Sequence, residues 1–248
     1  MQRFFLSADQ INGEFITVTG SDANHIKRSL RMTVGEKLII CDMQKNEYEC
    51  EICSFEKDTV TVSILHSSKN DTEPAYRAYL YQALPKGDKM DYIVQKAVEL
   101  GVYGIIPFIS ERCISRPDIG SCEKKVVRWQ RIAEEAAKQC GRGIIPHVGK
   151  VLSYNEMIQD AVCGGLVFFC YEGDNNETKK IGNIINVNEK YADIRFIIGA
   201  EGGFSISEVE VARDNGMKIA GLGKRILRCE TASGFVLSCL AYENELRI

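Results

Sequence analysis

Ile197-Ile198-Gly199-Ala200-Glu201-Gly202-Gly203-Phe204 is the stretch of sequence that decides the fold. It joins the end of a near-continuous apolar run, residues 194–198, to a turn that holds three glycines. Ser205 and Glu208 follow with the spacing of a capping box, which predicts the start of a helix. In α/β domains, ligands bind at the carboxyl ends of strands, where glycines let the backbone approach them. The stretch therefore predicts an α/β domain with a ligand-binding turn after a buried strand.

The chain around this turn alternates between strands and helices. Near-continuous apolar runs at 166–170 and 194–198 predict strands buried on both faces of a parallel sheet. Further strands are predicted at 78–84, 104–108 and 218–222. Apolar residues at helical spacing predict helices at 90–101, about 123–140 and about 231–246. We therefore predict one α/β domain over residues 75–248.

Residues 1–70 show a different pattern. They predict one short helix from Ser21 or Asp22 to Leu30, and short strands at 14–18, 37–41, 46–53 and 59–65. Several short strands within so few residues favour a small β-barrel. The polar segment 66–74 ends in proline and predicts a linker between two domains.

Composition limits the classes of protein to which the chain can belong. Its 248 residues are 45% hydrophobic and 26% charged, as in an ordinary soluble globular protein. No run approaches the ~18 uninterrupted apolar residues of a membrane span, and the apolar run at the N-terminus is too short for a signal peptide. We therefore expect a cytoplasmic protein with no membrane partner.

The ten cysteines are expected to be reduced thiols in such a protein. Cys50 and Cys53 form the only C-x-x-C pair, and no second pair or histidine pair completes a zinc site. The pair also lies in a predicted strand. We expect a structural role for both thiols and no bound metal.

Charge is distributed unevenly along the chain. The net charge is −3, but residues 112–142 hold eight basic and four acidic side chains. Residues 143–215 hold six basic and eleven acidic ones. A basic patch on an acidic protein is compatible with a site that grips phosphates, although a solvated helix face has the same composition. Charge alone leaves both interpretations open.

The glycine turn narrows the choice of ligand. It lacks the G-x-G-x-x-G pattern of a dinucleotide site, and Pro85-Lys86-Gly87-Asp88-Lys89 only superficially resembles a phosphate loop. Glu201 would repel a phosphate but suits a cationic ligand such as S-adenosylmethionine, which has a sulfonium, an ammonium and no phosphate. In a second loop, residues 221–232, Ile226 and Leu227 could enclose an adenine. A basic surface loop is the alternative for that segment.

Four motifs occur in an order that resembles the RsmE family of 16S ribosomal RNA uracil-N3 methyltransferases, in the SPOUT superfamily. They are Lys86-Gly87-Asp88-Lys89-Met90-Asp91 leading to Glu99-Leu100-Gly101, Arg128-Trp129 leading to Gln139-Cys140-Gly141-Arg142, Ile198-Gly199-Ala200-Glu201-Gly202-Gly203-Phe204, and Leu222-Gly223-Lys224-Arg225-Ile226-Leu227-Arg228-Cys229-Glu230-Thr231-Ala232. The last motif is long and specific. Ala200 stands where the family usually has proline, which should loosen the turn slightly.

The resemblance implies a fold and a set of partners. It implies a SPOUT-type α/β domain over residues 75–248 with a C-terminal trefoil knot, preceded by a PUA-like β-barrel RNA-binding domain over residues 1–70. General rules make knots very improbable, so nothing else in the sequence suggests one. The resemblance further implies S-adenosyl-L-methionine as cofactor, a homodimer, and a uridine of 16S ribosomal RNA in the small ribosomal subunit as substrate.

The resemblance also implies which residues form the site. Those expected to bind the cofactor are Leu84, Tyr171, Gly199, Glu201, Gly202, Gly203, Leu222, Gly223, Ile226, Leu227, Arg228 and Thr231. Those expected to bind RNA are Lys27, Arg28, Arg31, Lys86, Arg112, Arg116, Arg128 and Arg131.

Methyl transfer to uridine N3 requires an unpaired base, loss of the N3 proton and alignment with the methyl group. We assign stabilisation of the resulting uracil anion to Arg142, with help from Arg228, and proton acceptance to Glu201. Two alternatives are a nucleotide- or NAD-utilising α/β enzyme and a catalytically silent RNA-binding module. The first lacks its fingerprint, and the second would bind RNA without transferring a methyl group.

Overall fold

The computed structural model describes residues 1–173, 178–185 and 191–247. The chain folds into two compact units, and each is built from two segments of sequence. The first unit consists of Met1–Glu73 and Ala137–Ile145, and the second of Pro74–Ala136 and Pro146–Ile248. No pattern in the sequence indicated that residues 137–145 return to the first unit.

The first unit is built around a six-stranded sheet. Its strands are β1 (Gln2–Phe5), β2 (Ile11–Asn12), β3 (Phe15–Thr19), β4 (Lys37–Cys41), β5 (Asn46–Phe55) and β6 (Thr59–Lys69). They lie in the order β1-β4-β5-β6-β3-β2, with β1 parallel to β4 and the other neighbours antiparallel. Helix α1 (Gly20–Asn24) and a π-helical turn (His25–Ser29) occupy the connection between β3 and β4.

Alternating side chains give this sheet a buried face. Ile16 and Val18 in β3 are fully buried, as are Val60 and Val62 in β6, while the residues between them are at least partly exposed. Ile16 lies opposite Val62 and Val18 opposite Val60, so the four side chains share one face. The strands predicted in this first part of the chain are confirmed.

The predicted linker at residues 66–74 is wrong in its first half. β6 continues to Lys69 because residues 66–69 pair with residues 46–49 of β5, with His66 opposite Glu49. The side chains of residues 66–69 are exposed, so their polar composition suits the solvent-facing end of a hairpin. Residues 66–69 form a strand because their backbone pairs with β5, and the pattern of side chains in the sequence does not reveal this pairing.

A buried ion pair fastens the second segment of the first unit to its first segment. The Arg142 guanidinium donates from Nε and Nη2 to the two carboxylate oxygens of Glu73, at 2.8 Å each. The backbone N–H groups of Gly143 and Ile144 donate to the same carboxylate at 2.9 and 3.3 Å. The side chains of Arg142 and Glu73 are only 4% and 3% exposed. Because both charges are desolvated, each depends on the other.

The second unit is a parallel α/β domain, as predicted. Its strands are β7 (Arg77–Ala83), β8 (Val102–Ile109), β9 (His147–Val148), β10 (Leu152–Ser153), β11 (Leu166–Cys170), β12 (Lys179–Lys180), β13 (Asp193–Ile198) and β14 (Lys218–Gly221). Its helices are α2 (Lys89–Glu99), α3 (Ile119–Cys140), α4 (Tyr154–Ala161), α5 (Ile181–Ile184), α6 (Ile206–Asp214) and α7 (Cys229–Ala241). The last turn of α3 belongs to the first unit, and a π-helical turn (Tyr242–Leu246) follows α7.

The order of the strands places three carboxyl ends side by side. It is β10-β8-β7-β13-β11-β14-β12, with β9 paired to β8, and all these pairs are parallel. Phe196 of β13 lies opposite Leu80 of β7 on one side and Phe168 of β11 on the other. Phe168 and Phe196 are fully buried, as expected for central strands covered on both faces. The chain segments after β11, β13 and β14 therefore emerge at one edge of the sheet.

Replacing Arg142 by methionine should destabilise the fold, because it leaves the Glu73 carboxylate buried without its cation. We expect the free energy of unfolding, measured by urea denaturation, to fall by ~3–5 kcal/mol. Changing both residues, Glu73→Leu with Arg142→Met, should recover part of that loss but not all of it, because the N–H groups of Gly143 and Ile144 then lose their acceptor. Lys37→Met removes an exposed ion pair with Glu49 in the same unit and should change the free energy of unfolding little. Equal effects of the Arg142 and Lys37 substitutions would contradict this account.

Candidate active site

The segments that follow β11, β13 and β14 enclose a cavity of about 390 Å³. This volume lies within the range of ~300–1,000 Å³ found for small-molecule sites. The cavity is lined by Cys170, Tyr171, Glu172, Gly173, Thr178, Ile198, Gly199, Ala200, Gly203, Phe204, Gly221, Leu222, Gly223, Lys224, Arg225, Ile226, Leu227, Cys229 and Ala232. Three loops that are far apart in sequence thus contribute to one site.

The turn after β13 requires glycines because other side chains approach its backbone closely. The N–H of Gly203 donates to the carbonyl of Ala200 at 3.0 Å, and Gly203 has φ +61°, in the left-handed region. A Cβ at Gly203 would lie 2.8 Å from Oε1 of Glu172, and one at Gly199 would lie 3.0 Å from the ring of Phe204. A larger residue at Gly199 would press on the ring of Phe204, and one at Gly203 would be strained by its positive φ and would displace the Glu172 carboxylate.

The loop after β14 forms the outer wall of the cavity. A Cβ at Gly221 would lie 2.9 Å from Oγ1 of Thr178, so this loop also passes close to its neighbour. Ile226 is 83% exposed and Leu227 is half-buried. Apolar side chains that line a cavity while facing solvent are suited to covering an apolar group of a ligand.

Most of the residues predicted to bind the cofactor line this cavity, namely Tyr171, Gly199, Gly203, Leu222, Gly223, Ile226 and Leu227. The described lining does not include Leu84, Glu201, Gly202, Arg228 or Thr231. Leu84 is buried just after β7, Thr231 lines a neighbouring cavity, and Arg228 is the exposed N-cap residue of α7. Contact between these residues and a ligand stays a prediction.

The segment after β11 contributes residues that no motif indicated. Glu172, Gly173 and Thr178 line the cavity. Phe169 of β11 lies opposite Ile197 of β13, so the residues that follow β11 lie beside the turn that follows β13. The apolar runs at 166–170 and 194–198 predicted both strands. The sequence did not reveal that the two strands are neighbours, so it did not indicate that residues after β11 line the cavity.

Glu201 is held by two lysine residues. Nζ of Lys89 donates to Oε1 of Glu201 at 2.6 Å, and the backbone N–H of Lys86 lies 3.2 Å from each of the two carboxylate oxygens. Partial burial opposes ionisation of Glu201, but the hydrogen bonds from Lys89 and from the backbone outweigh it and hold the pKa of Glu201 below its ordinary value. Since a carboxylate of low pKa is a weak proton acceptor, this environment does not favour the predicted proton-accepting role.

Lys89, which was not among the predicted site residues, joins three elements. Besides Glu201, its Nζ lies 3.9 Å from Oε2 of Glu230, at the start of α7. Partial burial opposes ionisation of Glu230, but hydrogen bonds from its own backbone and from Cys229, together with the charge of Lys89, hold its pKa below the ordinary value. Lys89 thus links α2, the turn after β13 and α7 through two ionised carboxylates.

The structure contradicts the predicted contact between Arg142 and the uracil. The guanidinium is bound to Glu73 within the first unit, and the residue is 3% exposed. A buried guanidinium whose donors face a carboxylate cannot also stabilise an anion on an RNA base. We therefore correct the prediction and assign Arg142 a structural role. The sequence showed the motif at 139–142 but not the partner, which lies 69 positions earlier.

The predicted RNA-binding residues are distributed over both units. In the first unit Arg28 and Arg31 are exposed, whereas Lys27 donates to the backbone carbonyls of Glu56 and Lys57. In the second unit the exposed members are Lys86, Arg112, Arg116, Arg128 and Arg131, of which Arg128 forms an ion pair with Asp91. Exposure leaves these cations accessible to phosphates, and their contact with RNA stays a prediction.

Within the described ranges, no group of three or more His, Cys, Asp or Glu side chains could hold a metal ion. The ten cysteines are free thiols. Cys50 is buried and Cys53 is exposed, so the two sulfur atoms of the C-x-x-C pair lie in different environments. Among the same described residues, no helix combines the length and the apolar character needed to cross a bilayer.

Comparison with known proteins identifies the family. Residues 72–241 match the RNA methyltransferase domain, and residues 18–65 match the RNA methyltransferase PUA domain. Ribosomal RNA small subunit methyltransferase E of Bacillus subtilis is 34% identical, with 99% of this chain and 98% of that protein covered. The chain belongs to the ribosomal RNA small subunit methyltransferase E family. The resemblance identified from the four motifs is therefore confirmed.

Other members of the methyltransferase E family agree with this assignment. The enzyme of Mesomycoplasma hyopneumoniae is 32% identical, with 96% of this chain and 98% of that protein covered. A crystal structure of the Neisseria gonorrhoeae methyltransferase E, bound to S-adenosyl methionine, is 31% identical and superimposes with a TM-score of 0.84 over 97% of both chains. Membership of this family favours methyl transfer over the NAD-utilising enzyme and over the silent RNA-binding module.

In this methyltransferase E, Lys89→Met should raise the pKa of Glu201 toward the ordinary value of a carboxyl, because the ammonium donor is lost. Carbon NMR titration of the Glu201 carboxyl group measures the shift. Lys96→Met, which removes an ion pair with Glu99 on the same helix, is the control and should leave the titration of Glu201 unchanged. A pKa of Glu201 that is the same in the wild type and in Lys89→Met would refute this account.

The ion pair between Lys89 and Glu201 also predicts that the free energy of unfolding depends on pH. The pKa of Glu201 is lowered in the folded state, so its ion pair stabilises the fold above the pKa of an unfolded glutamate. This contribution is lost as the pH falls through the folded-state pKa. The difference in free energy of unfolding between wild type and Lys89→Met should therefore be present at neutral pH and vanish in acid.

Proposed function

We propose that this family member transfers a methyl group from S-adenosyl-L-methionine to N3 of a specific uridine in the 16S ribosomal RNA of the small ribosomal subunit. The observation that carries the proposal is the meeting of two glycine-bearing loops, residues 199–204 and 221–228, around one cavity. The Neisseria gonorrhoeae relative, which binds S-adenosyl methionine, supports the choice of cofactor. The reaction is a step of ribosome maturation and takes place in the cytoplasm.

The residues of the cavity fit this cofactor. Ile226 and Leu227 offer apolar surface to the adenine, and Glu172 offers a carboxylate to the ribose hydroxyls or to a cationic group. Lys224 and Arg225 offer cations to the carboxylate of the amino-acid part. When bound, S-adenosylmethionine supplies an electrophilic methyl group on a sulfonium sulfur. The lining thus provides a partner for each chemical part of the ligand.

Residues beside the cavity handle the uridine. Arg228 is exposed and lies in sequence between two lining residues, Leu227 and Cys229. Because Arg142 is buried in the first unit, we assign stabilisation of the negative charge on the uracil oxygens to Arg228. Glu201, which Lys89 fixes in its ionised form, accepts a hydrogen bond from the N3–H group and orients the base. Its low pKa leaves removal of the proton to solvent.

The two parts of the chain divide the task. Residues 1–70 act as a PUA-like RNA-binding domain, and residues 75–248 as the methyltransferase domain. The cations proposed to hold phosphates are Lys27, Arg28 and Arg31 in the first, and Lys86, Arg112, Arg116, Arg128 and Arg131 in the second. Their exposure and the match of residues 18–65 to an RNA methyltransferase PUA domain support this division.

A trefoil knot in the last third of the chain is part of the proposal. β14 lies on one side of β11, and β13 and β7 lie on the other. After β14 the chain continues into α7, which packs against α2, β7 and β13. The segment 221–229 therefore crosses from one side of β11 to the other, beside the turn at 199–204. A knot accounts for this return of the chain.

A second copy of the chain is the proposed partner for a groove between α2 and α7. The groove has a volume of about 660 Å³ and is lined by Lys89, Tyr92, Lys96, Glu99, Leu100, Glu230, Thr231, Gly234, Phe235 and Ser238. Tyr92 is 52% exposed and Phe235 is 37% exposed. Aromatic side chains are enriched at protein interfaces, and charged side chains such as those of Lys96 and Glu99 suit the polar rim around them. We propose that a homodimer forms through this surface.

Phe235→Glu should dissociate the homodimer, because it places a charge at the centre of a desolvated surface. Sedimentation equilibrium of the purified protein measures the mass of the assembly. Phe15→Glu is the matched control, since Phe15 is 49% exposed but lies in β3 of the first unit. A wild-type protein that sediments as a monomer would rule out this interface, as would a Phe235→Glu variant that stays dimeric.

The proposed reaction predicts one missing modification in cells that lack the protein. Mass spectrometry of their 16S ribosomal RNA should show the loss of a single 3-methyluridine, which the wild-type gene restores. Gly203→Ala should restore it less fully, because its methyl group would displace the Glu172 carboxylate from the wall of the cavity. Gly216→Ala is the matched control, since Gly216 also has a positive φ, +79°, but no atom lies within 4 Å of the place that its Cβ would take. It should restore the modification.

Two outcomes would contradict this function. An unchanged level of 3-methyluridine in the deletion strain would rule out the uridine target. Purified protein that binds small ribosomal subunits without transferring a labelled methyl group would instead support the silent RNA-binding module. Calorimetric titration of the Gly203→Ala variant with S-adenosylmethionine, alongside its thermal unfolding, separates loss of cofactor binding from loss of the fold.

A further inference from the structure

Three side chains join the loop after β8 to the turn after β13. We call residues 110–116 the basic loop, and Glu111, Ser205 and Glu208 the clamp. Oγ of Ser205 donates to Oε2 of Glu111 at 2.6 Å. The backbone N–H of Glu111 donates to Oε1 of Glu208 at 2.8 Å, and that of Ser205 donates to Oε2 of Glu208 at 3.0 Å. The Glu208 carboxylate thus holds each loop with a different oxygen.

The start of a helix explains only part of the clamp. Ser205 and Glu208 form the capping box of α6, which accounts for the two hydrogen bonds between them. A capping box does not need a third residue. The contacts of Glu111 come from a loop 94 positions before Ser205. The Glu111 carboxylate accepts from the Ser205 hydroxyl, and the Glu111 N–H donates to Oε1 of Glu208, the oxygen that does not accept from the Ser205 N–H. These contacts therefore serve the pairing of the two loops.

Two of the three clamp residues are buried, whereas Glu111, on the basic loop, is exposed. Ser205 is 8% exposed and Glu208 is 5% exposed. Hydrogen bonds to a carboxylate are strong in such surroundings, and leaving one of its oxygens without a donor is costly. The basic loop and the turn are consequently expected to move together.

Arg112 also touches the turn directly. A Cβ at Gly202 would lie 3.0 Å from Cβ of Arg112, and Nη1 of Arg112 donates to the carbonyl of Gly202 at 3.3 Å. The basic loop is braced from within, because Arg116 donates to the backbone carbonyls of Cys113 and Glu111. A displacement of Arg112 should therefore also displace Gly202, which precedes Gly203, a residue that lines the cavity.

We propose that Glu111 is a positioning residue that couples RNA binding to cofactor binding. This inference rests on the proposed function, in which Arg112 and Arg116 contact RNA phosphates and the turn at 199–204 contacts S-adenosylmethionine. A phosphate that orders the basic loop also orders the turn through Glu111, so less ordering remains for the cofactor to impose. Such a coupling is reciprocal, and each ligand raises the affinity for the other by the same factor.

The coupling is measured as a ratio of two dissociation constants. The probe is S-adenosylhomocysteine, which has no methyl group to transfer, and the RNA ligand is the small ribosomal subunit from cells that lack the enzyme. Wild type should bind the probe about 5–150-fold more tightly in saturating subunits than without them. Glu111→Ala removes the hydrogen bond from the Ser205 hydroxyl, while the backbone contact of residue 111 with Glu208 and the contact of Arg112 with Gly202 remain. It should therefore lower this ratio, with little change in binding of the probe to the free enzyme.

Two further variants separate positioning from charge. Glu111→Gln keeps an oxygen that can accept from the Ser205 hydroxyl, so it should retain the wild-type ratio. Glu123→Ala removes an exposed carboxylate from α3 and controls for the general gain in RNA affinity when a negative charge is lost. It should also retain the ratio. A wild-type ratio in Glu111→Ala, or a ratio of one in the wild type, would overturn the proposal.

Failure of the coupling differs from failure of the proposed function. A wild-type enzyme that neither binds the probe nor methylates small subunits would refute the function itself. An enzyme that does both, but whose Glu111→Ala variant keeps the ratio, would refute only the coupling. If Glu111→Ala does not fold, Ser205→Gly replaces it, because glycine is tolerated as an N-cap. The change removes the hydroxyl that donates to Glu111, together with the capping hydrogen bond that this hydroxyl accepts from the Glu208 N–H. It should lower the ratio in the same way.

Discussion

The site depends on the insertion of β13 between β7 and β11. The parallel hydrogen bonds on both sides of β13 fix the position at which this strand ends, and the turn at 199–204 cannot move along the sheet without breaking them. The segments at 170–173 and 221–229 follow β11 and β14, which are strands of the same sheet. Only this strand order brings three segments that are far apart in sequence around a single cavity.

The elements of the second unit could be predicted because burial on both faces leaves near-continuous apolar runs such as 166–170 and 194–198. The glycine turn could be predicted because close approach at Gly199 and Gly203 excludes other side chains. Strand order leaves no such mark in the sequence, and Glu172 was missed for that reason. The end of β6 was missed because residues 66–69 pair through their backbone while their side chains face solvent.

Several charged side chains that the motifs suggested would react or bind ligands instead form ion pairs and hydrogen bonds within the protein. Arg142, predicted as a reacting cation, holds Glu73 inside the first unit. Glu201, predicted as a proton acceptor, is bound by Lys89, and Glu208 holds two backbone N–H groups. Residue type and motif suggest what a group can do, but its partners decide what it does. Those partners lie far away in sequence, so the roles could not be read from the motifs alone.

Because residues 137–145 belong to the first unit, the two units cannot be exchanged between related proteins at a single junction in the gene. Neither unit is encoded by an uninterrupted stretch of the gene, because the partner of Glu73 lies beyond most of α3. A fragment that ends just after Glu73 would contain this carboxylate without Arg142, its partner in the ion pair. Exchange of the first unit between relatives therefore requires three crossovers, after residues 73, 136 and 145, and we expect both units to be inherited together.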